Sequence, residues 1–226
     1  MAEPALFVAV FYLVFKVLLQ MEGDDFLLFL ICGKLPFIWF SKSVTSAAPS
    51  IVNNSGLIGG VDLPKFIFPL AKVQESAYKQ AVVFIMLLAF AAWLGPAPSL
   101  AWFWLAPILL AQYIMILAVA LWVSYLVCYL RDIEFLVGMG MLLMLFLSGV
   151  FWDVRSLPDP DASLWLLKLN PLAFILDAYR QVLMYGKGVD MAHLLVLIGV
   201  FSLVAVSAWF VMQRQSRAIA LRVLGA

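Results

Sequence analysis

A lysine inside an apolar run is the first residue of this chain whose type and place suggest chemistry. Lys34 lies about nine residues into the run from Phe26 to Ala48, roughly 13 Å along at the rise of an α-helix. An ammonium buried that deep in hydrocarbon is costly unless it is paired or hydrated. Two readings stand: a cation facing a polar path, or a lysine that snorkels or pairs within a helix bundle. A second charged group is Arg131-Asp132-Ile133-Glu134. There a cation would suit the end of one helix and acids the start of the next, and a gate or contact role is the alternative.

The inventory for covalent chemistry is thin. Ser148-Gly149 in an apolar run suggests the nucleophile of an intramembrane protease, but Phe146 stands two residues before it and the one histidine, His193, is far along the chain. No base for the serine is evident. His193 reads as an interfacial side chain, and a metal cage is not expected. Cys32 and Cys128 sit in apolar runs and read as small buried hydrophobes. No Gly-x-x-x-x-Gly-Lys-Ser/Thr run occurs, so the chain has no phosphate-binding loop of that kind for ATP. We therefore expect no catalytic residue, no metal and no cofactor on this chain.

The elements that must position these residues are helices in a bilayer. Of the 226 residues, 66% are hydrophobic and 12% charged, against about 25% charged in soluble domains. That is an integral membrane protein. A net charge of +1, without a basic tract interleaved with aromatics, gives no nucleic-acid surface. Glu3 occupies the place of a basic leader segment, so a cleaved signal peptide is not expected.

Hydropathy gives six candidate spans: Pro4 to Leu19, Phe26 to Ala48, Ala77 to Leu94, Leu100 to Tyr129, Phe135 to Trp152 and Met191 to Met212, each near the length that crosses about 30 Å of hydrocarbon. Gly95-Pro96-Ala97-Pro98-Ser99 turns the third into the fourth. Lys65, Lys72, Lys79, Arg131, Arg214, Arg217 and Arg222 collect on one side, with Glu22, Asp24 and Asp25 on the other. The excess of basic residues makes the first side, with both termini, cytoplasmic. The aromatic clusters Trp102-Phe103-Trp104 and Phe151-Trp152 fit the outer headgroup belt.

Two connections remain. On the cytoplasmic side, Asn53 to Lys79 reads as a turn followed by a short apolar helix, Lys65 to Leu70, broken by Pro69. Such a segment fits docking to a partner, with lying flat on the membrane as the alternative. On the outer side, Asp153 to Asp190 reads as two short helices joined at Asn170-Pro171. This amphipathic stretch is expected to pack back on the membrane as a re-entrant or interfacial hairpin. Arg180 is expected to pair with Asp177 or Asp153 and so fix the hairpin. With no internal repeat, residues 1–226 form a single transmembrane domain.

The ordered landmarks resemble the permease subunits of type 2 ABC exporters, those for O-antigen, capsule or teichoic-acid polymers in particular. Four pieces carry the likeness: Gly33-Lys34-Leu35-Pro36 with Trp39-Phe40; Asn54-Ser55-Gly56-Leu57-Ile58 leading to Leu63-Pro64-Lys65-Phe66-Ile67-Phe68-Pro69; Arg131-Asp132-Ile133; and Ser148-Gly149-Val150-Phe151 with Leu169-Asn170-Pro171-Leu172 and Tyr179-Arg180. The resemblance implies an all-α homodimer of six-helix subunits in the bacterial cytoplasmic (inner) membrane. Each subunit would rest on a separate nucleotide-binding ABC ATPase that carries ATP and Mg, and the pair would enclose a channel for a lipid-linked glycan. It departs from the pattern at Met1-Ala2-Glu3-Pro4, where the family's N-terminal cytoplasmic helix is expected to be absent.

On that resemblance Lys34 would meet a pyrophosphate or acidic sugar, and Phe11, Tyr12, Trp39, Phe151 and Trp152 would line the path as sugar-stacking rings, with the lipid-facing belt as their alternative. Lys65, Phe66 and Phe68 would couple to the ATPase. Arg131, Asp132, Asn170, Pro171, Tyr179 and Arg180 would serve the gate or the framework. The reading is a permease subunit exporting a lipid-linked polysaccharide. The alternatives are a type 2 permease for drugs or small lipids, and a membrane-embedded enzyme or scaffold.

Overall fold

The computed structural model describes residues 24–61, 63–94 and 99–224, and over these it is helical with short connections. In chain order the helices are α1 (Asp24–Ala47), α2 (Ser55–Gly60), α3 (Ile67–Leu94), α4 (Leu105–Val127), α5 (Asp132–Leu147), α6 (Pro160–Leu169), α7 (Pro171–Leu183), α8 (Met191–Arg214) and α9 (Ser216–Leu224). Single 3-10 turns precede α2, α4 and α6. The expected span from Pro4 to Leu19, with Phe11 and Tyr12, lies outside the described residues.

Four of these segments are long and apolar enough to cross a bilayer: Phe26–Ala47, Ile67–Trp93, Leu100–Val127 and Met191–Arg214. They correspond to the expected second, third, fourth and sixth spans. The chain is thus a multi-pass membrane protein. Two expectations are corrected in detail. Pro69 does not break a short helix, because it sits in the first turn of α3, where a missing N–H costs nothing; α3 accordingly starts ten residues before Ala77. The expected fifth span does not reach Trp152. Helix α5 has 16 residues and ends at Leu147, because Gly149 takes φ 69°, a left-handed geometry that turns the chain. A Cβ there would also press on Val154 Cγ2 at 2.7 Å.

The two short helices expected after it are present, and local chemistry explains both. The Asp159 carboxylate accepts from the Asp161 amide ahead of Pro160 in α6, and the Asn170 side chain accepts from the Leu172 and Ala173 amides ahead of Pro171 in α7. Each is an N-cap followed by proline at the first helical position. Helix α9 was not foreseen.

The chain divides into two compact units. The first takes residues up to Ile38, Lys79–Leu109 and Leu145–Met191. Its core is α7, buried at every position from Leu172 to Leu183. The second takes Trp39–Tyr78, Leu110–Met144 and the chain from Ala192 onward. There Ile51, Ile58, Phe68, Leu121, Ala208, Met212, Ile219 and Val223 form one apolar cluster.

Candidate functional site

In the first unit the Gly33-Lys34-Leu35-Pro36 run of α1 meets the corner after α5. Arg180 of α7 is 2% exposed and lies with its guanidinium carbon 3.5 Å from the centre of the Phe29 ring. Its Nη1 donates to the Gly149 carbonyl at 2.7 Å and its Nη2 to the Val150 carbonyl at 3.0 Å. Its Nε reaches the Phe29 carbonyl at 3.4 Å. The fork of donors suits several carbonyls at once, and a ring face attracts the cation. Gly33 makes this possible: a Cβ there would collide with Arg180 Nη2.

The expected pairing of Arg180 is therefore corrected. Arg155 takes Asp177 instead, with Nη2 to Oδ2 at 2.7 Å and Nε to Oδ1 at 2.9 Å. The Asp177 side chain is 5% exposed and that of Arg155 52%. The local i, i+3 spacing suggested a pair that the fold does not use, because Arg180 is turned inward to the corner's carbonyls. The hydrogen bond to Asp177 holds the Arg155 guanidinium above the usual arginine range, against the opposing effect of burial.

One residue after Gly33, Lys34 stands half-buried. Its Nζ lies 5.7 Å from the Phe37 ring centre and 5.5 Å from that of Phe151. Two rings thus face one ammonium, a geometry that stabilises the cation away from bulk water. Phe151 also packs on Phe146, centroids 5.8 Å apart, while Trp152 Nε1 donates to the Phe146 carbonyl at 2.8 Å. That bond satisfies one of the carbonyls left open at the end of α5. Gln80 of α3 donates to the Leu35 carbonyl at 3.4 Å.

Asn170 and Ser148 support the same corner. Ser148 is buried, and Asn170 Nδ2 donates to its hydroxyl at 3.2 Å. Asn170 therefore both caps α7 and ties it to the chain after α5, with Pro171 setting the first turn. Tyr179 is fully buried beside Phe84, ring centroids 5.6 Å apart. Lys34 and Phe151 are brought together as one site, with Trp152, Asn170, Pro171, Tyr179 and Arg180 as its framework. Phe29, Gly33, Phe37 and Arg155 are the contributors that the residue reading left without a role. Only Gly33 carried a signal, as a glycine immediately before a lysine inside a helical run.

The second unit holds the remaining candidates. Trp39 is buried. Lys65 is also buried, and its Nζ donates to the Leu63 carbonyl at 2.8 Å. Phe66 meets Trp209 edge to face, centroids 6.3 Å apart, and Phe68 is part of the apolar cluster. Ile67 is exposed and Phe66 half-buried. Arg131 and Asp132 are exposed at the start of α5. Asp132 and Glu134 lie in the helix's first turn, where acids complement the dipole. Nearby, the Tyr125 and Tyr129 hydroxyls both donate to Gln215 Oε1, at 2.7 and 2.6 Å. Among the described residues no cluster of His, Cys, Asp and Glu could hold a metal ion.

The residues on these units suit binding and packing. A helical frame carries a ring-flanked cation inside a span, an arginine-clamped corner beside it, and a proline-started segment rooted in an apolar cluster. Comparison with known proteins agrees with that character. Residues 65–184, more than half of the chain, match the family described as ABC-2 type transporter. The chain is 29% identical over 186 residues to an O-antigen export system permease protein of Klebsiella pneumoniae, covering 82% of this chain and 71% of that one. It is 25% identical over 215 residues to an O-antigen export system permease protein of Myxococcus xanthus, covering 94% and 83%. The chain belongs to the ABC-2 type transporter family.

Proposed function

We propose that this chain is the membrane-spanning permease subunit of an ATP-driven exporter that moves a lipid-linked polysaccharide across the bacterial cytoplasmic membrane. The observation that carries the reading is the similarity to O-antigen export permeases over 82% to 94% of the chain, far beyond the 65–184 segment common to the family. In this reading the chain crosses the membrane six times with both termini in the cytoplasm, and α6 and α7 form a hairpin at the outer face. Two copies enclose the path. ATP and Mg bind a separate nucleotide-binding subunit, and the permease itself binds and gates without covalent chemistry.

The residues have definite parts in it. Lys34 meets the anionic part of the substrate, a pyrophosphate or acidic sugar, and Phe37 and Phe151 hold the ammonium ready where bulk water is scarce. Phe151 and Trp152 offer faces to sugar rings. Hydrolysis in the partner moves the segment Lys65, Phe66 and Phe68; Phe68 passes that motion to α8 through its packing with Ala208 and Met212, and Phe66 through Trp209. The clamp of Arg180 on the Gly149 and Val150 carbonyls keeps the corner beside Lys34 rigid while the spans move.

The test is reconstitution in lipid vesicles together with a nucleotide-binding subunit that co-purifies with the chain. ATP-dependent transfer of a lipid-linked glycan, together with ATPase activity that rises when the glycan is added, is the expected result. Lys34→Met is expected to cut transfer at least tenfold with the dimer intact on gel filtration. ATPase activity indifferent to every lipid-linked glycan but stimulated by small amphiphiles would replace the polymer reading.

A further inference from the structure

Basic residues gather at the end of α8 and in the helix that follows it. From Met191 onward the chain holds Arg214, Arg217 and Arg222 and neither Asp nor Glu. Two of the three are engaged: Arg214 lies 4.2 Å from the centre of the Phe210 ring and Arg222 4.6 Å from that of Tyr129. Arg217 is exposed, and no ion pair or ring contact holds it among the described residues. It lines an open cavity of about 230 Å³, together with Gly59, Gly60, Lys65, Ser216 and Ala220.

The cavity is roomy for a reason in the sequence. A Cβ on Gly60 would meet nothing within 4 Å, and one on Gly59 would touch only Leu224. Its depth follows from α8. A helix of 24 residues is about 36 Å long, more than a hydrocarbon core of about 30 Å, so its final turn lies among the headgroups. The rings Phe66, Trp209 and Tyr129 stand around that turn, as rings do at this level of a bilayer. A pocket at the end of a span with Arg217 and Lys65 on its wall complements an anionic headgroup.

We propose that this cavity holds the phosphate of an anionic phospholipid headgroup, with Arg217 as the charge that meets it. The occupant is lipid of the surrounding membrane, so the inference needs the chain to span a bilayer and does not rest on what it exports. Lipid in the cavity would brace the α2 segment against α9, two elements that already touch.

The experiment is native mass spectrometry of the full chain released from nanodiscs of phosphatidylcholine containing a minor fraction of phosphatidylglycerol. Phosphatidylglycerol is expected to be retained severalfold above its share. Arg217→Gln, an exposed change, and Gly60→Leu, which fills the cavity, are each expected to bring retention down to that share. Retention proportional to the mixture, or retention unchanged in both variants, overturns the proposal. Heat protection by inorganic phosphate equal to that by phosphatidylglycerol overturns it in favour of a free anion. Loss of a co-purified ATPase from Arg217→Gln with lipid retention intact overturns it in favour of an acidic protein surface.

Discussion

Gly33 and Arg180 are separated by almost 150 positions and have meaning only together. The arginine lies where a Cβ on residue 33 would stand, and it is held there by the Gly149 and Val150 carbonyls and the Phe29 ring. Gly33→Ala must therefore displace either the clamp or α1, an overpacking cost of about 1–3 kcal/mol, and the melting temperature in detergent is expected to fall by several degrees. An unchanged melting curve would mean that the clamp is soft. Arg155→Gln tests the neighbouring pair. It leaves the buried Asp177 carboxylate with Gln181 Nε2, at 3.3 Å, as its side-chain donor among the described residues, and costs about 1–3 kcal/mol, below the figure for a fully buried pair because Arg155 is half in water. Adding Asp177→Asn removes the stranded charge and is expected to recover most of the loss; no recovery would mean that Arg155 stabilises by other contacts. Neither pairing was legible in the sequence. Arg180 three residues after Asp177 is what helical spacing favours, and only the turn at Gly149 shows why the guanidinium goes elsewhere.

Helices were legible where their chemistry is local. The caps at Asp159-Pro160 and Asn170-Pro171 are written in adjacent residues, and four apolar runs announce spans by length alone. Helix α5 shows the limit of that reading. Hydropathy continues through Ser148 to Trp152, but a glycine with positive φ ends the helix first, and hydropathy carries no backbone angle. The resulting 16 residues reach about 24 Å, short of a full hydrocarbon core. None of them is buried, and Phe135, Leu136, Leu142 and Leu143 are each 59% exposed or more, an apolar face that suits lipid. Leu143→Arg is therefore expected to oppose insertion by about 2.5–3.5 kcal/mol. Glycosylation mapping in microsomes reads this as a larger fraction of chains with the connection after α5 on the wrong side. Insertion equal to that of the parent chain would mean that the position faces water.

For the molecule as a whole, the proposed function requires that a push on one segment become movement of spans. The sequence makes the candidate coupling segment, Lys65 to Leu70, a short helix of its own; in the structure its proline lies in the first turn of α3, so the segment runs directly into a 28-residue helix. Physically this favours transmission, since a break at Pro69 would absorb motion and a continuous helix cannot. The residues of the segment divide the work. Phe68 is sunk in the apolar cluster, and any change there would damage the fold. Phe66 is half-buried, with an edge against Trp209, and tolerates a change better. On the proposed function, Phe66→Asp should thus leave the chain inserted while abolishing any rise in a partner's ATP hydrolysis that the parent chain produces. Phe66→Leu keeps the apolar contact and should retain most of that rise. If the aspartate variant stimulates hydrolysis as well as the parent, force enters elsewhere, and the exposed Arg131-Asp132 turn before α5 becomes the segment to change next.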